Sequence, residues 1–219
     1  MAPNRWVLIV IGLAVFRIAA GSSGESLQPF QASYTWRWHG LVVAATNVTL
    51  VRDKGHWIYR SASEPRGIGR AFSQRPVLES TMQITADGVR PLRFDSDDGT
   101  SSEKRDSHVI FDWQKNRATG VYESVPVDLA LSPGAQDDLS IQVALMNELL
   151  AGRAPSAFLL IDKNTLLEYR YSREGETVLD TAVGREPTVI FSSQKKGSSR
   201  ITRFWCAPAR GFSPLRIEQ

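Results

Sequence analysis

Few residues of this 219-residue chain combine the type and spacing that chemistry requires. Asp137 and Asp138 are adjacent carboxylates, the arrangement a general acid and base would need. Neighbouring helix positions point about 100° apart, so the two cannot converge on one substrate atom, and capping a helix N-terminus is their expected role. The histidines are His39, His56 and His108. None stands in the paired spacing of a metal site, although His108 and Asp112 fall on the same face of one strand. Nucleophilic hydrolysis lacks its G-x-S-x-G marker. The single cysteine, Cys206, is expected to pack as a small apolar residue beside Trp205, and would be a nucleophile only if folding brought a histidine to it. No catalytic residue, metal site or cofactor is expected.

Two stretches suit binding better than catalysis. Gly67-Ile68-Gly69, flanked by Arg66 and Arg70, could cradle an anionic head group through backbone N–H donors. It has no third glycine and no strand-to-helix context, so a packed connector or lid is the competing reading. The aromatic row Tyr34, Trp36 and Trp38 reads first as sheet core. Its sharper reading is one wall of an apolar pocket shared with Leu145, Met146 and Leu149, where tryptophan and methionine would suit an acyl chain.

The elements that must position these residues are mostly strands. Period-two alternation begins at Phe30 and continues through Ala32, Tyr34, Trp36 and Trp38. Turns at His39-Gly40 and Asp53-Lys54-Gly55 make the stretches 30–38, 41–52 and 56–62 a meander. The segment 64–76 breaks the alternation and is read as a connector. Further strands are predicted over 78–85, 89–96, 103–113 and 117–130. Beyond a helix the pattern resumes at 156–161, 166–172, 177–182, 187–193, 200–205 and 215–218.

The helix falls in the stretch 133–152. Leu139, Val143, Met146 and Leu150 recur at helical spacing, and Leu145 and Leu149 widen the apolar face. Gln142 lies within that arc and needs a partner if it is buried. Asp137 or Asp138 can cap the start, and Gly152 supplies the stop. An element so broadly apolar, set midway among about a dozen antiparallel strands, would bury itself best on the concave side of a bent sheet. The expected fold is mainly β: a strongly curved antiparallel sheet, half-barrel or barrel-like, with one long helix packed on its concave side.

Residues 1–22 carry a secretory signal pattern: Arg5, an apolar run from Trp6 to Phe16, then small residues from Ala19 to Ser23. The run is interrupted by Arg17 and is shorter than the ~20 residues that span a bilayer, so a cleaved leader and a periplasmic location are expected, with no spanning segment afterwards. Residues 23–219 then form one domain. One cysteine allows no internal disulfide. The formal charge of +3 contains Arg5 and Arg17, and without them 24 basic residues face 23 acidic ones, for +1. That near-balance, with the signs interspersed, argues against nucleic acid. Charges on the outward face of strands, such as Arg37, Glu168 and Arg170, argue against an outer-membrane barrel.

Several ordered pieces resemble one family of bacterial exported proteins, the domain of unknown function 3108 family. They are LQPFQASYTWRWHGLVVA near the start, DGVRPLRF at 87–94, FDW at 111–113, PGAQDDLS before the helix, and WCAPARGFSPLRIEQ at the end. The resemblance implies a periplasmic, mostly β protein and carries over no catalytic residue. Cys206 departs from the plain apolar residue the resemblance would place there. The expected function is that of a non-enzymatic binder of an apolar molecule such as a lipid or a lipidated partner. The alternative is an envelope scaffold or assembly factor, with a dry core, that binds another protein.

Overall fold

The structure is a computed structural model and describes residues 9–11, 26–71, 74–181 and 184–219. The leader expected at 1–22 lies outside the described residues apart from Ile9–Ile11, a short strand, β1. The remaining strands are β2 (Phe30–Trp38), β3 (Leu41–Asp53), β4 (His56–Pro65), β5 (Val77–Thr85), β6 (Gly88–Asp97), β7 (Ser107–Asp112), β8 (Arg117–Tyr122), β9 (Val125–Ala130), β10 (Ala135–Gln136), β11 (Ala157–Asp162), β12 (Thr165–Thr181), β13 (Gly184–Lys195), β14 (Ile201–Ala207) and β15 (Ser213–Glu218). One helix, α1, spans Ser140–Leu150. Among the described residues no helix is long and apolar enough to cross a membrane.

All the strands lie in one sheet, in the order β10-β11-β12-β13-β14-β15-β1-β2-β3-β4-β5-β6-β7-β8-β9. Neighbours are antiparallel except β10 and β11. Among the described residues the chain is therefore mainly β, with one α-helix and an antiparallel ladder. That ladder is not closed: among the described residues β9 and β10, its two end strands, do not pair. The pairing among the described residues thus gives an open sheet and not a closed barrel. Its ends still meet through a side chain, because the Asp128 N–H of β9 donates to Asn164 Oδ1 in the β11–β12 turn at 2.8 Å.

Three predicted elements are redrawn. The stretch 117–130 is a hairpin, turning at Glu123 and Ser124, which both adopt positive φ without being glycine and so hid the turn. The break expected at Arg173-Glu174-Gly175 is a β-bulge inside one 17-residue strand, because the ladder to β13 continues on both sides of it. Residues 103–105 form a 3₁₀ turn before β7.

The interior is built in rows across β2, β3 and β4. Phe30 pairs with Leu50 and Leu50 with Tyr59, and the next rows are Ala32–Val48–Ser61, Tyr34–Thr46–Ser63 and Trp36–Ala44–Pro65. In the first row all three side chains are buried. α1 supplies the cover. Its Val143, Ala144 and Met146 join the main core with Met82, Val89 and Phe94 from β5 and β6. Its Leu145 and Leu149 enter a second core with Tyr171, Phe191 and Cys206 from β12, β13 and β14. Both sides of the wide apolar face are thus used, each fully buried leucine contributing about 1.5–3 kcal/mol.

Candidate functional site

The helix start is a structural device. Asp137 is 2% exposed. Its Oδ1 accepts the N–H groups of Leu139 and Ser140 at 2.9 and 2.8 Å, and its Oδ2 accepts the Ser80 hydroxyl at 2.7 Å. Burial pushes this carboxyl above the ordinary carboxylate value, with the hydrogen bonds from Ser140, Ser80 and Leu139 opposing the shift. Asp138 instead accepts the Tyr122 hydroxyl at 2.5 Å. The two carboxylates serve different partners, as caps and tethers do. The helix begins at Ser140, inside the stretch 133–152, since Ala135 and Gln136 pair with β11 before the chain turns. Gly152, at φ 72°, ends the helix with its N–H on the Leu149 carbonyl. Gln142 Nε2 has no hydrogen-bond partner among the described residues.

The titratable side chains singled out by type are dispersed. His39 sits in the β2–β3 turn at φ 47° with its ring 4.8 Å from that of Trp38. His56 Nε2 lies 3.3 Å from Gln83 Nε2. His108 meets Asp95 of the neighbouring strand at 2.6 Å, across the sheet rather than along it to Asp112. Burial would raise the Asp95 carboxyl, but hydrogen bonds from Arg93 and His108 outweigh it and hold the group below the usual range. Cys206 is fully buried, and burial pushes its thiol up to about 12, so little thiolate forms at neutral pH. One acidic cluster exists among the described residues, Asp97, Asp98 and Asp106. Its oxygens accept backbone N–H groups of Gly99, Thr100 and Asp98 within the same loop, so local turn bonding accounts for it.

The glycine loop is shaped by its packing on the sheet. Residues Gly67–Ala71 form a 3₁₀ turn laid against β3. Between the pairs Trp36–Ala44 and Arg37–Val42 the register shifts, leaving Val43 as an extra residue on β3. Its carbonyl accepts the Arg66 N–H at 2.9 Å, one step beyond the Ala44–Pro65 pair. A Cβ on Gly69 would stand 1.8 Å from that same oxygen, so only glycine lets the connector come so close. The Gly69 N–H is taken by the Arg66 carbonyl, and the Arg66 guanidinium by Glu64 at 3.0 Å. These groups of Arg66 and Gly69 are thus engaged within the connector and its neighbours.

Beyond the last filled row, the core face of β2–β4 runs on uncovered by the helix. There Trp36, Trp38, Ala44 and Pro65 meet Ile68 and Pro76 of the connector around a groove of about 700 Å³. Trp38 is 37% and Ile68 50% exposed. The Trp36 indole N–H is satisfied by Thr46 Oγ1 at 2.5 Å, so the ring offers the groove only its apolar surface. Serine, glutamate and glutamine appear only as Ser63, Glu64 and Gln74.

The six residues proposed from sequence as one apolar wall are not gathered. Trp36 and Trp38 line the groove. Tyr34 is one row deeper and buried, its hydroxyl donating to the Pro214 carbonyl at 2.7 Å. Leu145, Met146 and Leu149 are filled core of the helix. The residues that sequence reasoning missed as partners of the tryptophans are Ile68, Pro65 and Pro76. The available signal was the connector itself, which carries an isoleucine between glycines directly after the meander.

The family model described as Protein of unknown function (DUF3108) matches residues 30–219. The chain belongs to this family. No curated protein and no solved structure matches it. The DUF3108 match takes in every strand from β2 to β15, the helix and the groove, so both the filled and the open ends of the interior belong to the family domain.

Proposed function

We propose that this protein is a non-enzymatic, periplasmic carrier or receptor that holds an acyl chain, of a lipid or a lipidated partner, in the groove over Trp36, Ala44 and Pro65. The observation that carries the reading is a groove of about 700 Å³ walled by two tryptophans, an isoleucine and two prolines, at the open end of an otherwise filled core. The size lies in the range of small-molecule sites, and the lining is apolar enough to exclude water from a hydrocarbon. In this reading the sheet bends round α1 as a partly open shell and the groove is its mouth. Two features support the bend: α1 enters cores on two sides, and the Asp128–Asn164 bond joins the sheet's ends. Export by the N-terminal leader is part of the same proposal and rests on the Arg5-to-Ser23 pattern.

The test is a titration of the exported protein with fatty acids brominated along the chain, read by tryptophan fluorescence, alongside mass spectrometry of its organic extract. Saturable quenching that disappears in Ile68→Glu supports the reading. Absence both of quenching and of any co-purified lipid sinks it. A second reading, an envelope scaffold contacting another protein, draws on the exposed Leu41, Trp38 and Ile68 at this same end.

A further inference from the structure

β1 is the only described strand outside the family domain, yet it lies mid-sheet between β15 and β2. Val10 stands opposite Trp36 on one side and Ile217 on the other, Ile11 opposite Thr35 and Arg216, and Ile9 opposite Arg37 and Glu218. Being antiparallel to both neighbours, β1 makes β2 and β15 parallel to each other and two strand spacings apart, roughly 9.5 Å. These three residues fall inside the segment with the leader pattern. Removing that segment would expose two facing rows of backbone N–H and C=O groups.

The family domain is poorly equipped to close this gap alone. Tyr34 reaches from β2 to the Pro214 carbonyl of β15, so a tyrosine side chain spans the space between the two backbones one row away. Pro214 has no N–H to give a neighbour, as befits an edge strand. The gap also has an inside and an outside. Trp36 and Ile217, which flank its middle position, pack against the main core. Arg37 and Glu218 flank one outer position, and Thr35 and Arg216 the other. An extended polypeptide backbone can satisfy both edges at once, as β1 does, because their donors and acceptors repeat at strand spacing.

We propose that leader removal turns this gap into a strand-acceptor site for an extended segment of a partner protein. The segment enters antiparallel to both β2 and β15 with an apolar residue between Trp36 and Ile217 and polar residues on either side. The site shares with the acyl-chain reading the removal of the leader and the residue Trp36, but its ligand is a backbone and its readout is amide protection.

The experiment first fixes the N-terminus of the exported protein by intact mass, which separates failure of leader removal from failure of strand binding. Hydrogen–deuterium exchange is then followed at residues 35–37 and 216–218 while a lysine-flanked peptide carrying residues 8–12, with threonine in place of Ile9 and Ile11, is added. Fast exchange in the free protein, slowed at least tenfold by the peptide but not by a version with aspartate in place of Val10, is the expected result. The proposal is overturned if the mass retains the leader or if both segments are already protected without peptide. Absence of slowing at millimolar peptide overturns it too. Protection that instead grows with protein concentration, alongside dimer formation, replaces the partner with a second copy and also overturns it.

Discussion

The two ends of β2, β3 and β4 carry the same alternation on the same face and finish differently. At one end Phe30, Leu50 and Tyr59 form a sealed row, and at the other Trp36, Ala44 and Pro65 form the floor of a groove. Residue type does not separate them, since tryptophan is as apolar a choice as phenylalanine. Cover does. The first row faces a core filled by α1 and the strands around it, whereas the last only borders that core through Trp36 and is otherwise covered by a short 3₁₀ turn held down through Val43 and Gly69. A strand that continues its apolar pattern past the available core is how this fold comes to have an open apolar surface.

The comparison breaks first, and most strongly, at the filled end. Met146→Ala, at a helix side chain 1% exposed in the main core, should cost about 2–5 kcal/mol in urea unfolding, through lost transfer energy and the cavity left behind. Acyl-chain binding per folded molecule should not change. If affinity falls with stability restored by low temperature or osmolyte, the helix is part of the site after all and the division between the two ends fails.

Asp137 comes next. Asp137→Ala should cost about 1–3 kcal/mol, because two helix N–H groups and the Ser80 hydroxyl lose their acceptor in a buried place. Its pH dependence has a defined sign. The folded carboxyl is raised, so between its unfolded and folded values the native state binds more protons, and stability falls as pH rises through that window. Asp137→Asn keeps an acceptor for the helix and should remove that slope. Unfolding curves from pH 4 to 8 for both variants check it, and an unchanged slope in Asp137→Asn would place the dependence elsewhere.

Much of the filled end was legible in the sequence and much of the open end was not. Period-two spacing located β2, turn residues bounded β3 and β4, and helical spacing located α1 with its cap and its glycine stop, because each is a local pattern. Whether Leu145 and Trp36 share a wall depends on which rows the helix covers, and that is set by contacts between residues far apart in the chain. The Val43 bulge, which pins the connector and so makes the groove, depends on the pairing of two strands and leaves no mark in either alone. Gly67 and Gly69 were visible as special, but an anion cradle and a close backbone approach use the same residue type. The carbonyl 1.8 Å from a would-be Cβ supplies a packing reason for Gly69 that the sequence does not show.

At the open end the effects on stability are smaller and those on binding larger. Gly69→Ala should lift the connector off β3 and abolish acyl-chain quenching, at a stability cost of roughly 1–3 kcal/mol for the displaced turn. Trp38→Ala, at a side chain more than a third exposed, should change stability by less than about 1 kcal/mol while weakening binding. Equal losses of stability and binding in Trp38→Ala would mean that the groove is merely thin core.

The smallest effect belongs to the outer face, where Asp95 meets Arg93 and His108. Its carboxyl is lowered where that of Asp137 is raised, so the slopes have opposite signs. The stability Asp95 adds is present above the ordinary carboxylate value, near 3.9, and is lost as pH falls through the depressed one. The partners are well exposed, with side-chain exposures of 54% for Arg93 and 51% for His108, and solvent screens them. Asp95→Asn should therefore cost no more than about 0.5 kcal/mol, shrinking further in 1 M salt. Solvent and salt weaken a surface pair far more than they weaken the desolvation of a buried carboxyl. Acid titration of stability in the double variant Asp95→Asn/Asp137→Asn should therefore resemble that of Asp137→Asn alone. A double variant resembling Asp95→Asn would reverse the ranking of the buried cap over the surface pair.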